Sequence, residues 1–229
     1  APLLEDALEK VEKVARLRGL PPSFVQVGAM DGVGHDHMTA FVQSGRWTGV
    51  LIEPLKDMFE RLRQHYAPSP AHPQQKLHFA NMCVAEEVGK RTMRRLAPHA
   101  MDAQVVEALG YDGSSSLLSD TKGLPPGMAL SFESLSPHTQ QQVLAGLVEE
   151  EVDCAPLQDI LQRYAICLPG AASSRQAETP DTCSTFDVFA VDTEGYDLKI
   201  LQQLFGALGA GKSTLTEAGA GGGEDAKPS

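Results

Sequence analysis

The chain has 229 residues, 42% of them hydrophobic, and a net charge of −11 at neutral pH. That length carries one domain with a sizeable core, and the acidic balance argues against nucleic acid or an anionic membrane surface as a partner. No apolar run approaches the ~20 residues that a bilayer-crossing helix needs, so no membrane span is expected.

Residues 3–17 bring Leu4, Leu8, Val11, Val14 and Ala15 near helical spacing, ahead of Gly19 and the Pro21–Pro22 pair, and predict an amphipathic helix. Residues 24–29 (FVQVGA) are rich in β-formers and predict the first strand. Asp36 can cap a helix running to about Gln43. A second strand is expected over 49–53 (GVLIE), and Pro54 can open a helix over 55–66 with Leu55, Met58, Phe59 and Leu62 on its apolar face. After the proline-studded APSPAHP, a third strand is expected over 77–85, then a turn at Gly89–Lys90 and a returning strand over 91–96.

Residues 97–137 are rich in Ser, Gly and Pro and predict a long excursion, which continues irregularly to about residue 155. Within it, Pro137 starts a helix to about Glu149, and 152–154 forms a short strand. A helix over 156–164, a polar loop over 170–184, a strand over 186–191 (FDVFAV) and a helix over 196–205 complete the pattern. This alternation predicts a single α/β domain over residues 1–205 with a mostly parallel, Rossmann-like sheet. Residues 206–229, seven of them Gly, are expected to be a flexible tail.

Cys83, Cys154, Cys167 and Cys183 form no CxxC unit, which excludes a zinc knuckle and a thioredoxin-like motif. Cys83 sits in an apolar stretch and reads as a buried free thiol, with a reducing, cytoplasmic compartment as the default.

The chemistry concentrates where the first strand opens into a glycine-bearing loop. The order Gly28, Gly32, Gly34 does not fit the GxGxxG template that presents bare amides to a pyrophosphate. Asp31 and Asp36 add two carboxylates, which repel a diphosphate but suit the ammonium and sulfonium of S-adenosylmethionine. Alone, Asp31 can make an Asx turn and Asp36 can cap a helix. Glu53, 25 positions after Gly28, ends the second strand where a ribose-binding acid belongs. The third strand brings Asn81, Met82 and Cys83 towards the same sheet edge, where adenine would lie, although an Asn in a turn is equally ordinary.

Three stretches, FVQVGAMDGVGHD, GVLIEPLKDMFERLRQHYA and FAVDTEGYDLKIL, resemble the FkbM-type S-adenosylmethionine-dependent methyltransferases, with weaker support from SSSLL and CAPLQDIL. The resemblance covers about residues 20–204. Family members typically carry a GANDG-like loop, an IEP strand end and a D-x-EG segment; here the loop reads GAMDG, with Met30 where Asn is usual. The resemblance implies a class I methyltransferase fold and S-adenosyl-L-methionine as cofactor. It places Gly28, Ala29, Met30, Asp31, Gly32, Asp36, Glu53, Pro54, Asn81 and Met82 around that cofactor, and Asp192 to Gly195 at the active-site rim.

The expected reaction is O-methylation of a hydroxyl on a small molecule, such as a secondary metabolite, a glycan or a lipid. Asp192, Glu194, His35 or His37 could take the proton. The class I sheet usually continues beyond a fourth strand, so the chain reads as truncated there, with FDVFAV as an open edge. The alternative is a non-catalytic module that binds S-adenosylmethionine or serves as a scaffold. His35–Asp36–His37 lacks further ligands, and no metal is expected. GALGAGKS at 206–213 satisfies the Walker A pattern but follows a helix where a P-loop follows a strand, and is read as accidental.

Overall fold

The computed structural model describes residues 2–33, 36, 38–97, 115–117, 132–168, 184–193 and 195–210. Its centre is a parallel four-stranded sheet built from β1 (Ser23–Val27), β2 (Thr48–Ile52), β3 (Leu77–Ala80) and β8 (Val188–Val191), in the order β3-β2-β1-β8. The chain therefore steps outward from β1 through β2 to β3, then returns to place β8 on the other flank of β1. This α/β arrangement is compatible with a Rossmann-like fold.

Both faces of the sheet are covered, as a parallel sheet requires. Alternation along β1 sends Val25 and Val27 to one face and Phe24 to the other. The first face packs Val25, Val27, Val50 and Ile52 on Leu157, Ile160 and Leu161 of α5 (Leu157–Gln162) and on Ile200 and Leu204 of α6 (Asp197–Ala210). The second packs Phe24 and Leu51 on Leu8 of α1 (Pro2–Leu17), Val42 of α2 (Thr39–Gln43), and Leu62 of α3 (Lys56–His65), together with Trp47 and Tyr66. Trp47 is fully buried between Phe24 and Phe41, both edge-on to it.

The expected third strand over 77–85 is two strands. β3 ends at Ala80, and Asn81–Met82 break away before β4 (Cys83–Val84), which joins a different sheet. That second sheet has the order β4-β7-β5-β6, with β5 at Gly89–Leu96, β6 at Ser115–Leu117 and β7 at Leu147–Ala155. The short strand expected at 152–154 is thus the end of a nine-residue strand. Residues 83–84, 89–96, 115–117 and 147–155 build this second sheet and do not extend the parallel one.

Charge pairing explains β7. Its EEE run lies antiparallel to the basic β5, giving Lys90–Glu151, Arg94–Glu149 and Arg95–Glu150 ion pairs. Arg95 is buried and also forks onto both carboxylate oxygens of Asp57 at 2.9 and 3.0 Å, tying this sheet to α3. The α4 helix (Pro137–Gly146) starts where expected: the Ser136 side chain accepts from the Thr139 amide, with Pro137 in the first turn. It stops short of Glu149 because β7 takes over.

Residues 206–210 are the last part of α6 and not a loop, so the Walker-like GALGA lies on a helix. The remainder of that segment, and the tail over 212–229, lie outside the described residues. Among the described residues β8 pairs only with β1, and its four residues are half-buried. No helix among them is long and apolar enough to cross a membrane.

The free-thiol reading of Cys83 is overturned. The β4–β7 pairing sets Cys83 directly opposite Cys154, at a Cα–Cα distance of 4.4 Å, and the two form a disulfide. Cys167 is also disulfide-bonded. Disulfides persist in oxidising compartments, so the reducing-compartment default falls with the free thiol. Replacing Cys83 and Cys154 together with Ala is expected to cost roughly 2–5 kcal/mol, as for other bonds closing long loops. Urea denaturation of wild type and double variant measures this; coincident midpoints would show that the bond contributes nothing.

Candidate functional site

The strand order reverses at β1, so a crevice opens between the carboxyl ends of β1 and β8, the place where α/β sheets hold ligands. The loop after β1 lies there. Gly28 and Gly32 both have left-handed backbone, with φ of 81° and 76°. A Cβ on Gly28 would lie 1.9 Å from the Asp192 carbonyl oxygen, and one on Gly32 would lie 2.6 Å from the Tyr66 ring. The close approach that these glycines permit is of the protein to itself: β8 to the loop, and α3 to the turn. The Gly32 carbonyl accepts from the Tyr66 hydroxyl at 3.1 Å and the Thr39 hydroxyl at 2.9 Å, which fixes the turn.

Met30 is left-handed as well, with φ of 48°. That conformation costs an ordinary side chain roughly 1 kcal/mol and is readily taken by Asn.

Glu53 is where expected in the chain but is not an open ribose-facing acid. It is 3% exposed; Oε2 accepts from the Met30 amide and Oε1 from the Leu55 amide, both at 2.9 Å. Burial pushes its carboxyl up from an ordinary 4.5 to about 7, against the opposing pull of those two amides. Asn81 continues the stitching: its side-chain amide donates to the carbonyls of Glu53 and Pro54 at 2.8 and 2.9 Å.

Asp31 makes the Asx turn, accepting from the Val33 amide at 3.0 Å. Asp36 accepts from the Met38 amide at 2.7 Å, just ahead of α2. The candidate residues that line cavities fall into two groups about Gly28, while Asp31, Gly32, Glu53 and Asn81 line neither. On the α1 side, Gly28, Ala29, Met30, Asp36 and Asp192 line a cavity of about 280 Å³. On the other side Gly28, Pro54 and Met82 line a crevice of about 30 Å³, with the Cys83 end of the disulfide. Asp192 is exposed at the end of β8. His35, His37 and Glu194 lie outside the described residues. Among the described residues no three His, Cys, Asp or Glu gather as metal ligands would.

Two features escaped the sequence reading. Asp197 shapes the turn after Asp192, accepting from the Thr193 amide at 2.7 Å, the Thr193 hydroxyl at 3.0 Å and the Gly195 amide at 3.3 Å. Partial burial pushes its carboxyl up, but these bonds outweigh that and hold it below the usual range. The Asp-Leu helix start after DTEGY is the signal that could have found it. The second feature is Tyr196, which donates to the Glu86 carboxylate while Lys199 pairs with Glu86 at 3.4 Å and sits over the Tyr196 ring. The tyrosine hydrogen bond, helped by Lys199, outweighs desolvation and holds Glu86 below the usual carboxylate range. The 110-residue separation of Tyr196 and Glu86 left no sequence signal.

No protein-family model matches this chain, and none of the curated proteins matches it.

Met30→Asn is expected to raise stability by roughly 1 kcal/mol through relief of the left-handed backbone; an unchanged urea midpoint would show that lost Met30 packing cancels the gain. Glu53 gives a pH signature. Its folded-state value lies above the unfolded one, so its contribution is complete below pH 4.5 and lost as pH rises through about 7. Wild type should therefore lose up to about 3 kcal/mol relative to Glu53→Gln between pH 4.5 and 8. Parallel stability–pH curves for the two proteins would show that Glu53 does not titrate in that window.

Proposed function

We propose that this protein is an S-adenosylmethionine-dependent methyltransferase of class I architecture acting on a hydroxyl group. The observation that carries the reading is the acidic loop after β1, set at the β1/β8 switch point and walled by Asp36 and Asp192. A carboxylate-lined crevice favours a cationic ligand over a diphosphate. The three FkbM-like stretches converge on this point: the loop itself, the strand end at Glu53 that holds it, and the Asp192 segment.

In this reading Asp31 and Asp36 face the positive charges of the cofactor, while Gly28, Ala29 and Met30 present the loop backbone to it. Asn81 and Met82 border the far end, with Pro54. S-adenosylmethionine, when bound, supplies an electrophilic methyl group, so the protein's task is mainly alignment. Asp192, exposed at the rim, is the described carboxylate placed to accept the acceptor's hydroxyl proton. Glu53 acts through the loop: by holding the Met30 and Leu55 amides it sets the shape that the cofactor meets.

The second reading is a module without turnover, and Glu53 is the observation that favours it. Both carboxylate oxygens are committed to backbone amides, so the acid has less capacity left for ribose hydroxyls.

Calorimetric titration separates the possibilities. S-adenosylmethionine and S-adenosylhomocysteine should bind, and NAD and ATP should not. Asp31→Asn keeps the Asx turn but removes a charge, and should weaken S-adenosylmethionine about fivefold and the uncharged-sulfur product less. Absence of binding at millimolar S-adenosylmethionine would end the proposal. Cofactor binding without methyl transfer to any of a panel of sugar, lipid and phenolic hydroxyls would favour the second reading.

A further inference from the structure

Parallel pairing puts the starts of β1, β2 and β3 at one edge of the sheet, about 13 Å along β1 from the glycine loop. A cavity of about 420 Å³ lies at that amino edge, enough for roughly fourteen waters at ~30 Å³ each. Strand register builds its floor. Ser23 lies opposite Thr48 and Gly49 opposite Leu77, while the Gly49 amide donates to the Lys76 carbonyl at 3.0 Å. Ser23, Thr48 and Lys76 therefore form one row across three strands, and His78, two residues beyond Lys76, shares its face. Tyr164, just after α5, sets its ring against His78 with centroids 5.0 Å apart. Its hydroxyl donates to the Phe79 carbonyl at 2.8 Å, which fixes the ring, and Ile166 and Phe186 add apolar wall.

This lining reverses the charge of the rest of the chain. The net charge is −11, and the cavity beside the loop carries Asp36 and Asp192, yet among the described residues no Asp or Glu lines the amino-edge cavity. The Lys76, His78 and Thr48 side chains make no hydrogen bond or ion pair among the described residues. Asp187, next in the chain to Phe186, does not serve them. It accepts from the Ser23 amide and hydroxyl, both at 2.9 Å, and pairs with Arg18 at 2.5 Å. Donors gathered on one face without an acceptor, beside a fixed aromatic ring, complement an anion attached to a flat apolar group. One ammonium balances one negative charge, which favours a carboxylate over a doubly charged phosphate ester.

We propose that the amino-edge cavity binds an aromatic monocarboxylate, its carboxylate held by Lys76, His78 and Thr48 and its ring laid against Tyr164, Ile166 and Phe186. Lys76 and His78 are exposed, so the anion enters from solvent without crossing the core. The site goes beyond the methyltransferase reading. It lies at the other end of the strands, shares no lining residue with either cavity about Gly28, and needs no cofactor to form.

Two probes of nearly equal shape test it on the full chain: 3-phenylpropanoate and 3-phenylpropanamide, which differ in the charge at one end. Calorimetric titration at low ionic strength should give the acid about fivefold higher affinity, the difference between a charge-assisted and a neutral hydrogen bond. That preference should shrink as salt screens the exposed Lys76. In Lys76→Met, which keeps the aliphatic stem at an exposed position, acid and amide should bind equally. Ring resonances of His78 and Tyr164 should shift with the acid, while the Met30 amide in the loop after β1 should not. Equal affinity of acid and amide for wild type, a preference that survives Lys76→Met, shifts confined to the loop after β1, or no binding of the acid at millimolar concentration would each overturn the proposal. S-adenosylmethionine is titrated separately, so its failure to bind would leave this site standing, and failure of the acid would leave the cofactor reading untouched.

Discussion

A single buried carboxylate sets the geometry at the carboxyl edge of the parallel sheet. Glu53 leaves β2 facing inward, and its two oxygens gather the Met30 amide from the loop after β1 and the Leu55 amide at the start of α3. Its backbone is held in turn by the Asn81 side chain and by the Ala80 carbonyl, both at the end of β3. Three strand ends are therefore joined through one residue. A lost carboxylate would leave two amides unmet in a dry environment, a penalty of roughly 1–3 kcal/mol for each. The left-handed Met30 persists because this grip over-determines it.

The second sheet braces that edge from the side. Opposite charges on β5 and β7 form its ladder, but most of those pairs are solvent-exposed and contribute little individually. Arg95 differs: buried, and shared between Asp57 and Glu150, it couples β5 to the helix that follows Glu53. The Cys83–Cys154 bond adds a covalent tie immediately beyond Asn81 and Met82. The segment that leaves β3 is thus anchored at both ends, by Asn81 to β2 and by Cys83 to β7.

Packing and ligand chemistry compete for the same loop. Gly28 and Gly32 are needed so that Asp192 and Tyr66 can approach, which is reason enough for glycine at both positions. What packing does not explain is Gln26, a polar side chain set among Leu8, Met38 and Val188 with its oxygen unmet.

The parallel strands were legible because each is a short β-rich run bounded by Gly or Pro, and the alternation of strand and helix dictates a parallel sheet. The helix start at Pro137 was legible for an equally local reason, the backbone geometry of proline. The loop at 28–32 and the acid at 53 stood out for their spacing alone. The sequence could not reveal that Glu53 turns inward, since an inward and an outward carboxylate at a strand end read identically. Nor could it show Cys83 facing Cys154 or Tyr196 facing Glu86, for those contacts span 71 and 110 residues. Local propensity determined which segments became strands and helices; burial and register, which depend on every element at once, decided which side chains meet.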